Sequence, residues 1–197
     1  TLHLGDPVQQ VSGSGNIVTN NKSVECERVL VALGRQPNTE GMNLELAGVQ
    51  VDEQGFIVSD AKLRTSNKRI FAAGDCTTRS QFTHHADAQA RALIQNALFF
   101  PTARVDGLIV PHCTYTYPEV ASVGLSEDQL QTAGTLYEEY EVYFDELDRT
   151  KAVPFADNLA RAAKGHARVF TAKGKDTILG ATIVGADAGE LLAPICL

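Results

Sequence analysis

Ile70-Phe71-Ala72-Ala73-Gly74-Asp75-Cys76-Thr77-Thr78, running on through Gln81-Phe82 to Thr83-His84-His85-Ala86, is the stretch whose reading decides the fold. Ile70 to Ala73 is apolar and reads as a short buried strand. Gly74 lets the backbone pass close to another group, and Asp75 stands at the strand's carboxyl end. Thr83 is placed to cap a helix from Ala86 to about Phe99, with Ala86, Ala90, Leu93, Ile94 and Ala97 on one face. A carboxylate at a strand end beside a helix N-terminus suits a polyol–phosphate ligand. The carboxylate accepts from hydroxyls, and the free N–H groups at the positive helix end donate to anionic or carbonyl oxygens. The residues alone leave a plainer reading open, an ordinary Gly-Asp turn with a solvated Asp75, because turns collect both residue types.

Upstream of this stretch, Thr1 to Leu33 reads as short strands. Gly13 and Gly15 between apolar positions signal a hairpin, and Asn20-Asn21-Lys22 a second turn. Val29 to Leu33 is unbroken and apolar, hence a buried strand, and Gly34-Arg35-Gln36-Pro37-Asn38 ends it. Leu44 to Val49 reads as one helical turn stopped by Gly48. Val49 to Val58 reads as a hairpin around Glu53-Gln54-Gly55, and Arg64 to Lys68 as a polar connector. Downstream, Thr102 to Asp106 is a linker into a second domain. Val110 to Tyr117 and Val120 to Leu125 read as strands, and Ser126 with Gln129 as a capping box for a helix ending at Gly134. Leu136 to Phe144 reads as a half-exposed strand. Ala167 to Thr171 and Thr177 to Val184 flank a turn at Lys173-Gly174-Lys175-Asp176, and Asp187 opens a final helix. Hairpin strands with two helices make an antiparallel α+β domain.

The 197 residues carry a formal charge of −7, with 44% apolar residues. The absence of a basic cluster argues against nucleic acid or an anionic membrane as partner. No apolar run is long enough to span a bilayer. Thr1 in place of Met points to a piece of a longer chain. Cys26, Cys76, Cys113 and Cys196 are widely spaced, without a Cys-x-x-Cys pair, and read as free thiols in a reducing cytoplasm. His84 and His85 suggest a metal site with Cys76 or Asp87, but adjacent helical residues point about 100° apart and rarely share an ion. We therefore expect no metal.

Three stretches together resemble the pyridine nucleotide–disulfide oxidoreductases, the family of glutathione reductase, dihydrolipoamide dehydrogenase and mercuric reductase. Ile70 to Asp75 is similar to the family's second flavin fingerprint. Val29 to Asn38 is similar to the strand and Gly-Arg-x-Pro-Asn turn leaving its nicotinamide domain. Tyr117-Pro118-Glu119-Val120-Ala121-Ser122-Val123-Gly124 is similar to the start of its dimerisation domain. Gly-Asp-Cys-Thr with Gln81-Phe82, and Ala188-Gly189-Glu190-Leu191-Leu192, lean toward the mercuric reductase branch. The resemblance implies α/β and α+β architecture: a partial Rossmann-like flavin and nicotinamide portion, then an antiparallel α+β dimerisation domain. It implies limits of 1–38 for the end of the NAD(P)-binding domain, 39–105 for the C-terminal part of the FAD-binding domain and 106–197 for a truncated dimerisation domain. FAD and NAD(P)H are the implied cofactors and a homodimer through 106–197 the implied assembly. Gly34, Gly74, Asp75, Gln81, Phe82, Thr83, His84 and Ala86 are the implied cofactor-binding residues.

The family's flavin-pyrophosphate Gly-x-Gly-x-x-Gly turn, its redox cysteine pair and its C-terminal His-Pro are not in this sequence. No catalytic residue is therefore assigned, and Cys76 reads as a buried small hydrophobe. The chain by itself is expected neither to hold flavin tightly nor to turn over, the parent being the enzyme. The rival reading is a non-catalytic dimerisation or interaction module.

Overall fold

Val8–Val11 (β1), Asn16–Thr19 (β2) and Ser23–Glu25 (β3) pair antiparallel in that order, as the two turns in the sequence lead one to expect. Gly15 makes the first turn possible: its φ is +86°, and a Cβ there would sit 2.4 Å from the Cys26 carbonyl oxygen. The computed structural model describes residues 2–13, 15–78, 80–151 and 165–196, with backbone alone at 149–150. The chain divides into two units, Thr1–Gln36 and Pro37–Leu197. In the first unit, the expected buried strand at Val29–Leu33 does not form. No ladder is assigned to it, and Leu30 and Leu33 are 91% and 92% exposed. An apolar run becomes a strand only where a neighbour takes its N–H and C=O groups, and among the described residues none does.

In the second unit, residues 37–105 are held by single bridges rather than ladders: Val51 to Ile57, Ser59 to Thr65 and Arg64 to Phe71. Ile70–Ala73 is thus no full strand; only Phe71 pairs, and only Ala72 is buried. Side chains take over the backbone groups that a sheet would satisfy. Asp52 Oδ1 accepts from the N–H groups of Gln54 and Phe56, both at 2.9 Å, closing the expected hairpin. Asp60 Oδ1 accepts from Lys62 and Arg64 at 2.9 and 3.0 Å. Burial opposes the Asp60 charge, and the bonds from Arg64 and Lys62 outweigh it, holding the carboxyl below its ordinary range. Thr65 is 1% exposed, so the expected connector is partly interior. Its hydroxyl donates to the carbonyls of Asn67 and Ile70 at 2.9 Å. The turn at Leu44 ends as expected: Gly48 takes φ +70°, and the Val49 and Gly48 N–H groups reach back to the Leu44 and Glu45 carbonyls. Val49, Ile57 and Ala72 form the local core, with Leu44, Ala47, Ile70 and Cys76 around it.

The long helix, α1, spans Thr83–Leu98, three residues earlier than its expected start. Its buried residues are His85, Gln89 and Asn96, not the apolar stripe. Ile94, on that stripe, is 52% exposed. The helix lies on backbone that lacks ladder partners, so its inward face is polar.

The sheet of the C-terminal half has the order β4-β5-β8-β7-β6, antiparallel throughout. Its strands are His112–Thr114 (β4), Glu119–Gly124 (β5), Tyr137–Tyr143 (β6), His166–Ala172 (β7) and Ile178–Gly185 (β8). β4 is shorter than the expected Val110–Tyr117, since Thr116 turns back onto Thr114 and Pro118. Glu127–Thr132 (α2) carries the capping box in full: Gln129 N–H donates to Ser126 Oγ, and Ser126 N–H to Gln129 Oε1. Asp148–Lys151 (α3) follows β6, and Ala188–Leu191 (α4) lies near the end. Asp187 gives α4 no side-chain cap and takes φ +55° instead. Ala121, Val123, Ala181, Ile183, Ala188 and Leu192 form the core between sheet and α4.

Candidate functional site: the Gly74–Asp75 turn and the start of α1

Gly74 takes φ +84°, a conformation open mainly to glycine, and sends the chain away from the core. A Cβ on it would lie 3.5 Å from the Ala86 Cβ. The group that Gly74 approaches is thus α1 itself, and Ala86 is small enough to allow it. Thr77 closes the turn, its N–H and its hydroxyl both donating to the Gly74 carbonyl at 2.9 Å. Asp75, half-buried, is the next residue of the turn. Gln81 Nε2 donates to the Asp75 carbonyl at 3.4 Å, which draws the two ends of the loop together.

Phe82, not Thr83, occupies the N-cap of α1 and offers no oxygen to the first-turn N–H groups. No acidic residue stands in the first turn. The positive end of this 16-residue helix therefore has no side-chain cap from its N-cap residue and no acidic residue in its own first turn. Such an end is suited to an electron-rich oxygen. The Phe82 ring stacks with His84, at 5.5 Å, and with His112 of β4, at 6.0 Å, so the helix start is packed onto the sheet. A cavity of about 340 Å³ opens beside it, lined in part by His84, His112, Tyr115 and Glu119.

The residues that the sequence reading passed over are beneath the turn. Gly74 N–H donates to Gln89 Oε1 at 2.6 Å, a buried bond. Because Oε1 is committed, the Gln89 amide nitrogen faces His85 Nε2 at 3.2 Å. The His85 Nε2 must then accept, so Nδ1 carries the proton and donates it to the Ser80 carbonyl at 3.1 Å. Both ring nitrogens of His85 are thus engaged in hydrogen bonds. The signal was present as His and Gln at i, i+4 on one helix face, a polar pair where an apolar one was expected. Burial pushes the Cys76 thiol up, and the Asp75 charge adds to this, so Cys76 is not an activated nucleophile at neutral pH.

Of the expected cofactor-binding residues, Gly74, Asp75, Gln81, Phe82, Thr83, His84 and Ala86 lie together on this turn and helix start. Gly34 belongs to the first unit. It takes φ +92° with open space around its Cα, so conformation, not close approach, requires glycine there.

Residues 1–90 match the profile described as pyridine nucleotide-disulphide oxidoreductase, and residues 110–197 the profile of that family's dimerisation domain. The chain belongs to the pyridine nucleotide-disulphide oxidoreductase family. It is 36% identical over 174 residues to a mercuric reductase of Staphylococcus aureus, covering 86% of this chain and 30% of that protein. It is 33% identical over 172 residues to a dihydrolipoyl dehydrogenase of Trypanosoma brucei brucei, covering 87% and 34%. Among solved structures, LpdA of Mycobacterium tuberculosis superposes with TM-score 0.81 at 25% identity, over 97% of this chain and 41% of that one. The flavoprotein disulfide reductase RclA of Escherichia coli, as the Cu(II) complex of a point mutant, superposes with TM-score 0.83 at 23% identity, over 97% and 43%. This likeness shows the fold expected for the family, a Rossmann-like portion followed by a dimerisation domain. The chain spans about a third of the length of the curated relatives named here. No helix among the described residues is long and apolar enough to cross a membrane.

Proposed function

We propose that this chain is the part of an FAD- and NAD(P)H-dependent oxidoreductase that grips the ribityl and ring portions of FAD and supplies the dimer interface. The carrying observation is the pairing of a glycine-enabled turn that carries Asp75 with a helix start whose N-cap side chain gives it no hydrogen bond. These residues fit the cofactor. Asp75 would accept from the ribityl hydroxyls. The first-turn N–H groups of Thr83 and His84 would donate to the carbonyl end of the ring. Gln81 and Phe82 would wall the site, and Gly74 and Ala86 let turn and helix close up. Gly34 would shape the turn beside the nicotinamide. FAD bound there would supply the two-electron chemistry between NAD(P)H and a disulfide or a thiolate-bound metal ion. The chain's own contribution is orientation, with the helix end favouring the negative charge that reduction places on the ring.

The limits that accompany this reading are 1–38 for the end of the NAD(P)-binding domain, 39–105 for the C-terminal part of the FAD-binding domain and 106–197 for a truncated dimerisation domain. A second copy would pack against 106–197, and the free thiols of Cys26, Cys76, Cys113 and Cys196 suit a reducing cytoplasm. In the full-length flavoprotein, Asp75→Ala is expected to weaken FAD binding about 10- to 150-fold, the scale of one hydrogen bond to a charged group, while circular dichroism stays unchanged. Stoichiometric FAD retained through gel filtration and dilution would remove Asp75 from the site.

A further inference from the structure

We infer that Gln89 and His85 are positioning residues for the flavin: together they fix the distance between Asp75 and the start of α1. This rests on the placement of FAD proposed above. The two groups offered to the cofactor sit at opposite ends of residues 74–82, where no ladder holds them in register among the described residues. The loop is instead fastened from below at both ends. At the Asp75 end, Gln89 Oε1 takes the Gly74 N–H at 2.6 Å. At the helix end, His85 Nδ1 reaches the Ser80 carbonyl at 3.1 Å. The link between the two fastenings is the 3.2 Å bond from Gln89 Nε2 to His85 Nε2.

The relay is buried, with Gln89 4% and His85 8% exposed, so water does not replace a lost partner without cost. It also has only one polarity. Gly74 N–H is a fixed donor and Ser80 C=O a fixed acceptor, so a neutral side chain that both accepts and donates is needed at each intermediate position. Gln89 and neutral His85 meet that need. Loss of either frees one end of the loop to move relative to the other. The ribityl contact and the ring contact would then no longer be made together. The ring contact is the one that strengthens on reduction, so the reduced cofactor should suffer more than the oxidised one.

The test uses the full-length flavoprotein, titrated with oxidised and with reduced FAD. Gln89→Leu, which leaves the Gly74 N–H unpaired, should weaken reduced FAD roughly tenfold more than oxidised FAD, lowering the midpoint potential. Gln89→Glu keeps the acceptor for Gly74 but, ionised, has no hydrogen for His85 Nε2, so it should regain part of the lost melting temperature and not the ratio of the two affinities. His85→Leu, which breaks the other end, should act in the same direction as Gln89→Leu and serves if that variant does not fold. A purely structural role would lower the melting temperature and leave the ratio of the two affinities unchanged, which would overturn the inference. So would Gln89→Glu restoring that ratio in full, since the link to His85 would then not be needed. Loss in the relay variants can be told from an error in flavin placement, because only the latter leaves Asp75→Ala without effect.

Discussion

Asn96→Leu tests whether α1 is held by polar contacts, as its buried face implies. Asn96 is 6% exposed. Its Nδ2 donates to the Lys62 carbonyl at 3.1 Å and the Ala103 carbonyl at 2.9 Å, and its Oδ1 accepts the Ala103 N–H at 3.0 Å. Leucine has nearly the same shape and preserves the packing, so the loss isolates the three bonds. At a net ~1 kcal/mol each, the cost is ~3 kcal/mol. For a unit of this size that lowers the melting temperature by about 6–12 °C. The control is Arg91→Ala on the same helix. Arg91 pairs with Asp87 at 2.8 Å, but its side chain is 78% exposed, and no resolvable shift is expected. Thermal melts of the 197-residue chain, followed by circular dichroism, decide the matter. A drop for Asn96→Leu of less than about 2 °C, no larger than for Arg91→Ala, would refute the argument that side-chain bonds substitute for a sheet here.

Gly124→Ala and Gly134→Ala separate crowding from backbone strain. Both glycines have positive φ, but a Cβ at 124 would lie 2.3 Å from the Leu179 carbonyl oxygen, whereas nothing lies within 4 Å at 134. Denaturant midpoints should fall for both, by about 1 kcal/mol of strain at 134 and clearly more at 124. Burial, and after it the Glu119 charge, pushes the Cys113 thiol up. Iodoacetamide should therefore modify Cys113 slowly at pH 8, and faster in Glu119→Gln. The folded chain keeps the Cys113 proton longer than the unfolded chain, so its effect on stability is absent below the ordinary thiol range and turns destabilising as pH rises through it. In hydrogen exchange, amides of Val29–Leu33, which lack ladder partners among the described residues, should exchange fast, while Ala181–Val184, central in the sheet, should be slow.

The C-terminal half was legible because its elements obey local rules. Ser126 and Gln129 specify one helix start, Gly174 one hairpin turn, and alternating residues the strands between. The turn at Gly74 was legible as a turn, since only glycine takes φ +84° there without strain. What the sequence hid was where strand partners are missing. Ile70–Ala73 and Val29–Leu33 read as strands because their side chains suit one, yet pairing is a property of the neighbour. The face of α1 was hidden for the same reason. An apolar stripe predicts burial only when the opposing surface is apolar, and here it is bare backbone that calls for His85, Gln89 and Asn96. For the site, Asp75 was visible in the sequence, but the residues that hold its turn were not, because each does so through a contact set by the tertiary fold.

The strand β6 ends the sheet with an open edge among the described residues, and its sequence limits how the molecule can meet itself. Tyr137, Glu138, Glu139, Tyr140, Glu141, Val142 and Tyr143 form it. Two copies related by a two-fold axis can join such edges only in registers centred on one residue, because hydrogen-bonded and non-bonded pairs must map onto themselves. Centred on Tyr140, Glu139 of one copy faces Glu141 of the other, twice. Centred on Glu138, Glu139 or Glu141, a carboxylate faces its own image. Arg168, shared among Glu127, Glu139 and Glu141, is already committed to its own chain. Like charges directly opposite weaken a strand pair, so symmetric growth of the sheet across this edge is discouraged by every one of these registers.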